Sequence, residues 1–440
     1  MRVAFFGLLL LLVSPLPAQT AYSPEQPGYH ADQLALAQHC LDNALYSEAR
    51  KLAAASLAAM PDRAREITKA CEDKQDVHTA SAWGAYLDRR EALQRKRADA
   101  AFADQHAENQ VLALDPDHAK AREAAGDKWL DGMGWLSAAN HERLSPLAQR
   151  LATAPEKADR EATWDKPWLL VGERFTLVTD LPYSRALKYA RLLERFDAIF
   201  FELLGDVIPR RNQPNVVYCC KNAADFVIFS QQLDLAQEET SAGLHFGSHG
   251  IVLLNAERCD FVGKRNKAPD NLARTLYHEC AHRLVEIGLR GRRGGFGSYE
   301  LATTGEHAWI VESIAIVFED LKIEKKGYKL TGLEAQRKYT ITKYWKGKEA
   351  KLPTLEPVLK QGFTAFATAE PVSGAEKYAI AGTVGWYCLF VKKDQYRAAY
   401  LGLLVDYYRL DTRTRNFEQR FGVKLADFEA EWREWALKQG

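Results

Sequence analysis

The chain has 440 residues, of which 47% are hydrophobic and 11% aromatic, and its formal net charge is +1. So many apolar residues exclude an intrinsically disordered protein, and the length allows two or three domains. The balanced charge argues against a generic nucleic-acid binder and a polybasic membrane clamp, because both need an excess of positive charge.

The N-terminal segment, residues 1–20, is typical of a secretory signal peptide. Arg2 gives a positive start, an apolar run extends from Phe5 to Val13, and Ala18 is a small residue suited to cleavage. The chain has no second apolar run of that kind. The sequence therefore predicts an exported protein, periplasmic, cell-surface or secreted, with no stable membrane span after cleavage. An uncleaved anchor is the alternative.

The chain contains seven cysteines, an odd number, so at least one stays free. It has no C-x-x-C pair, which excludes zinc-ribbon and thioredoxin-like motifs. Exported proteins can carry disulfides. Because Cys40 and Cys71 both lie in a region that we predict to be helical, the sequence predicts a bridge between them.

Residues 21–150 are rich in alanine and are predicted to form a helical region. Small residues at helical spacing and Pro-Asp pairs at Pro61 and Pro116 resemble tetratricopeptide (TPR) helix pairs. The two prolines are 116 − 61 = 55 residues apart, which is not the repeat's period of about 34, so a plain helical cap is the alternative. Residues 126–135 predict a turn or short hairpin. Residues 31–125 would offer a TPR-like surface to a protein partner.

Residues 151–166 predict a polar linker, and residues 167–440 predict a second domain. Strand patterns occur at 175–179 and 216–220 with a helical pattern between them, and 244–254 reads as strand, turn and strand. The remainder is mostly helical. Strands mixed with helices and followed by helices indicate the α+β class.

The strongest chemical signal is the H-E-x-x-H motif at residues 278–282. Two histidines four residues apart on a helix lie within ~40° of one face, so both imidazoles can reach one Zn²⁺ ion. His278 and His282 are therefore predicted metal ligands, and Glu279 can face the water at the metal without being a ligand. Two histidines on a structural helix without metal are the alternative.

A catalytic zinc site needs a third protein ligand and one open position. Residues 309–318 are strongly apolar around a single acid, Glu312. Burying an unpaired carboxylate costs on the order of several kcal/mol, and a metal ion removes that cost. Glu312 is therefore the predicted third ligand. A partly exposed glutamate or an arginine partner is the alternative.

An H-E-x-x-H motif followed by a helix with Trp309-x-x-Glu312 resembles the gluzincin, or peptidase MA-like, zinc metallopeptidases. The chain is similar in particular to exported bacterial zincin-like domains with a TPR-like N-terminal region. The resemblance implies a small mixed sheet with an edge strand, an active-site helix and a helical C-terminal part. It implies that His278, His282 and Glu312 hold Zn²⁺. It also implies that Glu279 activates a zinc-bound water to hydrolyse peptide bonds of a peptide or protein substrate.

The chain departs from this family at two positions. Ser313 stands where glycine is common, and Ile316 stands where many gluzincins have an acid that orients a ligating histidine. Glu319 or Asp320 could take over that role from the next turn. These departures motivate a second hypothesis, a catalytically inactive zinc-binding scaffold that acts through its TPR-like helices. A purely helical interaction protein with accidental motifs is a third.

The family also implies a hydrogen-bond donor for the oxyanion that forms during hydrolysis. Tyr378, at the start of a predicted helix, resembles the tyrosine of the family, and His307 and Tyr299 are the alternatives. By the same analogy, the edge strand within 244–254 holds an extended peptide substrate. The glycine-rich stretch 288–305 predicts a loop beside the site.

Overall fold

The computed structural model describes residues 28–74, 76, 79–158, 160–233, 241–247, 250–266, 270–291, 307–346, 354–362, 366, 374–408 and 417–439. The predicted signal peptide lies outside these ranges. The chain divides into two compact units, residues 1–77, 85–128 and 227–238 in the first and residues 78–84, 129–226 and 239–440 in the second. Within the described ranges, no helix has the length and apolarity needed to cross a bilayer.

The first unit is built from helices. In chain order they are α1 (Tyr29–Asp42), α2 (Tyr46–Ala55), α3 (Pro61–Ala70), α4 (Ala80–Ala103, whose first turn belongs to the second unit), α5 (Glu108–Leu114) and α6 (Ala119–Ala124). Helices α1, α2 and α3 pack on one another. Alanines fill this contact, and Ala37, Ala49 and Ala53 have no exposed surface. The helices predicted in this part of the chain are thus present.

The predicted disulfide between Cys40 and Cys71 is wrong, because none of the seven cysteines, all of them buried, forms a disulfide. Cys40 lies in the last turn of α1, and Cys71 is the C-terminal cap of α3. Burial raises the pKa of the Cys71 thiol. A disulfide needs a specific separation and direction of the two side chains, which a shared helical region does not guarantee. Each thiol instead serves as a small apolar core group.

The rest of the chain mixes strands and helices. The strands are β1 (Asp127–Leu130), β2 (Gly134–Ser137), β3 (Ala148–Arg150), β4 (Trp168–Val171), β5 (Phe175–Thr179), β6 (Asn215–Cys220), β7 (Gly243–Phe246), β8 (Ile251–Asn255), β9 (Leu321–Ile323) and β10 (Tyr328–Leu330). The helices are α7 (Ala138–Leu144), α8 (Tyr183–Leu204), α9 (Ala223–Gln232, whose residues from 227 on belong to the first unit), α10 (Ala256–Asn266), α11 (Asn271–Arg290), α12 (Trp309–Ile316), α13 (Ala335–Thr340), α14 (Leu355–Leu359), α15 (Gly374–Trp386), α16 (Lys393–Tyr408), α17 (Phe417–Phe421) and α18 (Leu425–Ala436). Short π-helical segments, Ile341–Trp345 and Tyr387–Val391, continue α13 and α15.

Six strands form one mixed sheet in the order β3-β4-β5-β6-β8-β7. The pairs β3–β4, β5–β6 and β6–β8 are parallel, whereas β4–β5 and β7–β8 are antiparallel. The parallel pair β5–β6 requires a crossover, which α8 supplies. The predicted α+β class is confirmed, and so are the strands predicted at 175–179, 216–220 and 244–254. Strand β7 lies at the edge of the sheet.

Of two small features of the sheet region, the sequence predicted one and missed the other. The hairpin expected at residues 126–135 is present as the pair β1–β2. Strand β3 was missed, because its 3 residues lie in a stretch that we predicted to be helical and are too few for an alternating pattern.

Helix α11, which carries the H-E-x-x-H motif, is packed on several sides. It contacts β7, β8, α8 and α12. Tyr277 stacks on Phe196 of α8 at 5.2 Å, and Phe318 meets Phe196 edge-on at 5.3 Å. The N-cap is Asp270, whose side chain accepts a hydrogen bond from the backbone N–H of Ala273. Because both its sides and its start are held, α11 offers a rigid base for the residues on it.

Candidate metal centre

The two histidines of the motif lie one turn apart on α11 and face the same point. The Nε2 atoms of His278 and His282 are 3.2 Å apart, and the rings are nearly perpendicular at 82°. The side chain of His278 is 12% exposed and that of His282 is 8% exposed. The predicted arrangement of both imidazoles on one helix face is therefore present.

Glu312 joins this pair from α12. Its Oε2 atom lies 3.2 Å from His278 Nε2 and 3.8 Å from His282 Nε2. One ligand atom from each of the three residues lies within 4.8 Å of the others, which makes this a cluster that could hold a metal ion. The structure thus brings together the three residues that the sequence predicted as metal ligands.

The donors of this cluster fit a metal ion chemically. Two imidazole nitrogens and one carboxylate oxygen are ligands that divalent transition metals accept. Glu312 Oε2 is buried and, among the described residues, has no hydrogen bond of good geometry despite its short distance to His278. A buried carboxylate oxygen without a donor is costly unless a cation balances its charge. The residues therefore fit a bound cation.

Close packing of α12 on α15 explains both departures from the family pattern. Ser313 donates its hydroxyl to the carbonyl of Ala381 at 2.7 Å. A methyl group at Gly382 would lie 2.5 Å from Ile316, and one at Gly385 would lie 2.2 Å from Ser313 Oγ. Residues 313 and 316 therefore face α15 rather than the histidines, and an acid at 316 could not reach them.

The acid beside His278 comes instead from the turn after α12. Glu319 Oε1 lies 3.1 Å from His278 Nδ1, on the side of the ring opposite the cluster. The other candidate, Asp320, accepts a hydrogen bond from Thr331 at 2.5 Å. Glu319 also accepts two hydrogen bonds from Arg337, at 3.1 Å from Nε and 2.8 Å from Nη2. Arg337 was not predicted; the only signal in the sequence was that a buried acid needs a basic partner.

The charges around the cluster separate the two histidines electrostatically. Burial alone would lower the pKa of His278, but the Glu312 and Glu319 carboxylates outweigh it and raise this pKa to about 10. Burial and the neighbouring His278 lower the pKa of His282 to about 3, against the opposing effect of Glu312. For Glu319, Arg337 and His278 overcome burial and hold its pKa well below the usual range. His278 is thus the histidine on which negative charge concentrates.

Glu279, the predicted general base, lies between α11 and the edge strand. Burial raises its pKa to about 7, with Glu312 adding to the rise and His278 opposing it. Its carboxylate accepts a hydrogen bond from the backbone N–H of His245 in β7. The approach is close, because a methyl group at Gly243 would lie 3.0 Å from Glu279 Cγ and 2.7 Å from Thr275.

His245 was not predicted from the sequence, yet its side chain also lies against the motif. Its Nε2 atom is 3.0 Å from Glu286 Oε2 on α11. Its ring stacks on that of His282 with centroids 6.2 Å apart and an interplanar angle of 22°. His245 therefore links the edge strand to α11 by its backbone, by its close approach to Glu286 and by ring packing.

The structure places Tyr378 at the start of α15, within electrostatic reach of the cluster. The charge of Glu312, together with burial, raises the pKa of the Tyr378 hydroxyl well above its usual value. The guanidinium of Arg337 lies 5.1 Å from the centre of its ring. Nδ1 of the alternative, His307, accepts a hydrogen bond from Trp309. Tyr299 and residues 292–305 of the glycine-rich stretch lie outside the described residues.

A cavity of about 310 Å³ lies behind α12. Its lining includes Ile314, Val317 and Phe318 but none of the three cluster residues. It is therefore not the space in which a substrate would meet the cluster.

No known protein family matches the chain, and no curated protein matches it at a significant level.

Proposed function

We propose that the second unit is a zincin-like metallopeptidase of the gluzincin type, which uses zinc to hydrolyse peptide bonds. The observation that carries the proposal is the convergence of His278, His282 and Glu312, with ligand atoms within 4.8 Å of one another. Two histidines and a glutamate with one open position form a known ligand set for catalytic zinc. The motif also supplies a glutamate next to the first ligand, as metalloprotease chemistry requires.

Glu279 is the residue that we expect to move the proton. When bound, zinc supplies Lewis acidity that lowers the pKa of water toward ~7 and polarises a carbonyl group. The Glu279 carboxylate, with a pKa raised to about 7, can take a proton from the attacking water and return it to the leaving amine. The backbone N–H of His245 holds this carboxylate in place during both transfers.

Two further groups of the chain fit the remaining tasks of peptide hydrolysis. The Tyr378 hydroxyl keeps its proton at neutral pH and can donate a hydrogen bond to the oxyanion. Strand β7 is the edge of the six-stranded sheet and borders Glu279, so an extended peptide can add to it by backbone hydrogen bonds.

Glu319 weakens the case for the competing scaffold function. That hypothesis was motivated by Ser313 and by the missing acid at position 316. Because Glu319 stands 3.1 Å from His278 Nδ1, it can take the role of that acid, which removes one of the two motives. We further propose export, from the signal-like segment 1–20, and a TPR-like partner surface within 31–125.

A Glu279→Gln variant tests the function. The amide keeps the shape of the side chain and all three metal ligands but cannot accept the proton. We expect the variant to retain zinc in metal analysis and to lose peptide hydrolysis by on the order of 10²–10⁴-fold. A broad peptide library identifies a cleaved sequence for the assay. Glu202→Gln is the control, since Glu202 bonds Tyr328 away from the cluster.

Three outcomes contradict the proposal in different ways. Unchanged turnover in Glu279→Gln refutes the role of Glu279. Wild-type protein that binds zinc but cleaves nothing in the library supports the scaffold. Wild-type protein that binds no zinc excludes both.

A further inference from the structure

We infer that Arg337 is a positioning residue of this site, which fixes the Glu319 carboxylate against His278 and supports the ring of Tyr378. The inference rests on the proposed function and concerns how the chain holds one metal ligand and one phenol in place. Arg337 touches neither the three cluster atoms nor the proposed path of the proton, so any effect it has must pass through these neighbours.

Arg337 and Glu319 form a bidentate pair. Two nitrogens of one guanidinium meet two oxygens of one carboxylate, at 3.1 Å and 2.8 Å. A bidentate pair fixes the plane of the carboxylate as well as its position. Glu319 Oε1, which accepts from Nη2, is also the atom that lies 3.1 Å from His278 Nδ1. Arg337 therefore sets the orientation of the Glu319 carboxylate that faces the imidazole of His278.

Arg337 also contacts the ring of Tyr378. The guanidinium carbon of Arg337 lies 5.1 Å from the centre of the Tyr378 ring, within the range of a cation–π contact. The same ring packs on Phe366 at 5.5 Å. One arginine thus contacts the support of a metal ligand on one side and the proposed oxyanion donor on the other.

Arg337 is itself held in place through the start of its helix. It belongs to the short helix α13, and its backbone N–H donates to the carbonyl of Glu334 at 3.0 Å. The Glu334 side chain pairs with Arg274 of α11 at 3.0 Å. The start of α13 is thus tied to the helix that carries His278, which sets the distance from which Arg337 reaches Glu319.

The chemistry of this position calls for arginine. A lysine ammonium is a point charge on a flexible chain and cannot hold both oxygens of a carboxylate in one plane. It also stacks less well on an aromatic face. An Arg337→Lys variant therefore keeps the buried charge but loses the orientation, which separates positioning from simple neutralisation of Glu319.

The experiment compares Arg337→Met and Arg337→Lys with wild-type full-length protein. Zinc affinity is measured by competition with a chelator, and kcat and KM are measured on the cleaved peptide. Losing a residue that supports a metal ligand typically weakens metal affinity 10–100-fold. We expect a loss of about 10-fold for Arg337→Met, because Arg337 acts on His278 only through Glu319. Arg337→Lys should lie between it and wild type. In both variants kcat should fall while KM changes little.

Arg397→Met is the matched control. Arg397 forms an equally forked pair with Asp206, at 2.6 Å and 2.7 Å, and its side chain is 20% exposed against 14% for Arg337. This control should lose stability without losing zinc affinity. In a Glu319→Gln background, Arg337→Met should add little further loss, because the carboxylate through which it acts is gone.

Wild-type zinc affinity and kcat in Arg337→Lys would overturn the inference, as would equal losses of zinc affinity in Arg337→Met and Arg397→Met. If Arg337→Met does not fold, the lysine variant alone decides. Absence of zinc binding in wild-type protein is the separate result that removes the proposed function and this inference with it.

Discussion

The two histidines of one helical turn are held in different ways. His278 has a charged support, since Glu319 lies on its Nδ1 and Arg337 fixes Glu319. His282 has a packed support, because the ring of His245 lies against it. One histidine is thus oriented by a chain of polar contacts and the other by packing. The comparison teaches that two equivalent residues of one motif need not depend on equivalent neighbours.

The largest loss of zinc affinity should come from replacing the predicted ligands themselves. At this level the two histidines should no longer differ. His278→Ala, His282→Ala and Glu312→Ala each remove one predicted metal-binding group. Each variant should weaken zinc affinity by more than roughly 100-fold, which is the upper limit for replacing a residue that supports a ligand without binding the metal. The two histidine variants should lose similar amounts of zinc affinity. Chelator competition measures this, with His141→Ala on α7 as the control. Near-wild-type affinity in any one of the three would remove that residue from the site.

Next in size, replacing the two supports should sharpen the comparison. Glu319→Gln should weaken zinc affinity by about 10–100-fold, because His278 loses a charged partner. His245→Phe keeps a ring against His282 and loses the pair with Glu286, so its loss of zinc affinity should stay below about 10-fold.

The larger effect of His245→Phe should be on thermal stability, because Glu286 stays buried without the histidine that it contacts. Equal losses of zinc affinity in Glu319→Gln and His245→Phe would show that the two supports do not differ.

The smallest effect concerns the helix that both histidines share. Asp270→Ala removes the cap of α11 and should lower the free energy of unfolding by about 0.5–2 kcal/mol, measured by urea denaturation. Burial alone would raise the pKa of Asp270, but hydrogen bonds from Lys188 and Tyr189 outweigh it and lower this pKa. A lowered pKa in the fold stabilises the protein above the unfolded value of about 4, and this contribution is lost as the pH falls through the folded value.

The matched variant Asp270→Asn keeps the capping oxygen and tolerates the left-handed backbone at this position, where φ is 52°. It should retain most of the stability at neutral pH and lose part of the acid dependence. A wild-type acid profile in this variant would assign that dependence to other carboxylates.

The predictability of the site follows from the distance over which each signal acts. The motif helix and Glu312 could be found because an i, i+4 pair and a lone acid in an apolar segment are local patterns. The choice of Glu319 over Asp320 depends on the turn after α12, and the partner of Glu319 lies 18 residues further along, beyond the β9–β10 hairpin. The pairing of Cys40 with Cys71 failed for the same reason, since proximity in sequence does not set the direction of a side chain.

The fold was similarly readable in part. Strands β5, β6 and β8 have apolar runs that are almost fully buried, and these were found. The order of the strands was not predictable, because β7 follows β6 in the chain but lies beyond β8 in the sheet. His245 could be recognised as part of the site only once β7 was known to lie against α11.

The two glycines of α15 that face α12 have a consequence for how this protein can change. Gly382 and Gly385 lie one turn apart, and even one carbon atom at either position would collide with Ile316 or Ser313. Whatever displaces those two residues also displaces Glu312, which shares their helix. The position of Glu312 therefore depends on the absence of side chains at two positions of a neighbouring helix, and a mutation outside the cluster of His278, His282 and Glu312 can pull that cluster apart.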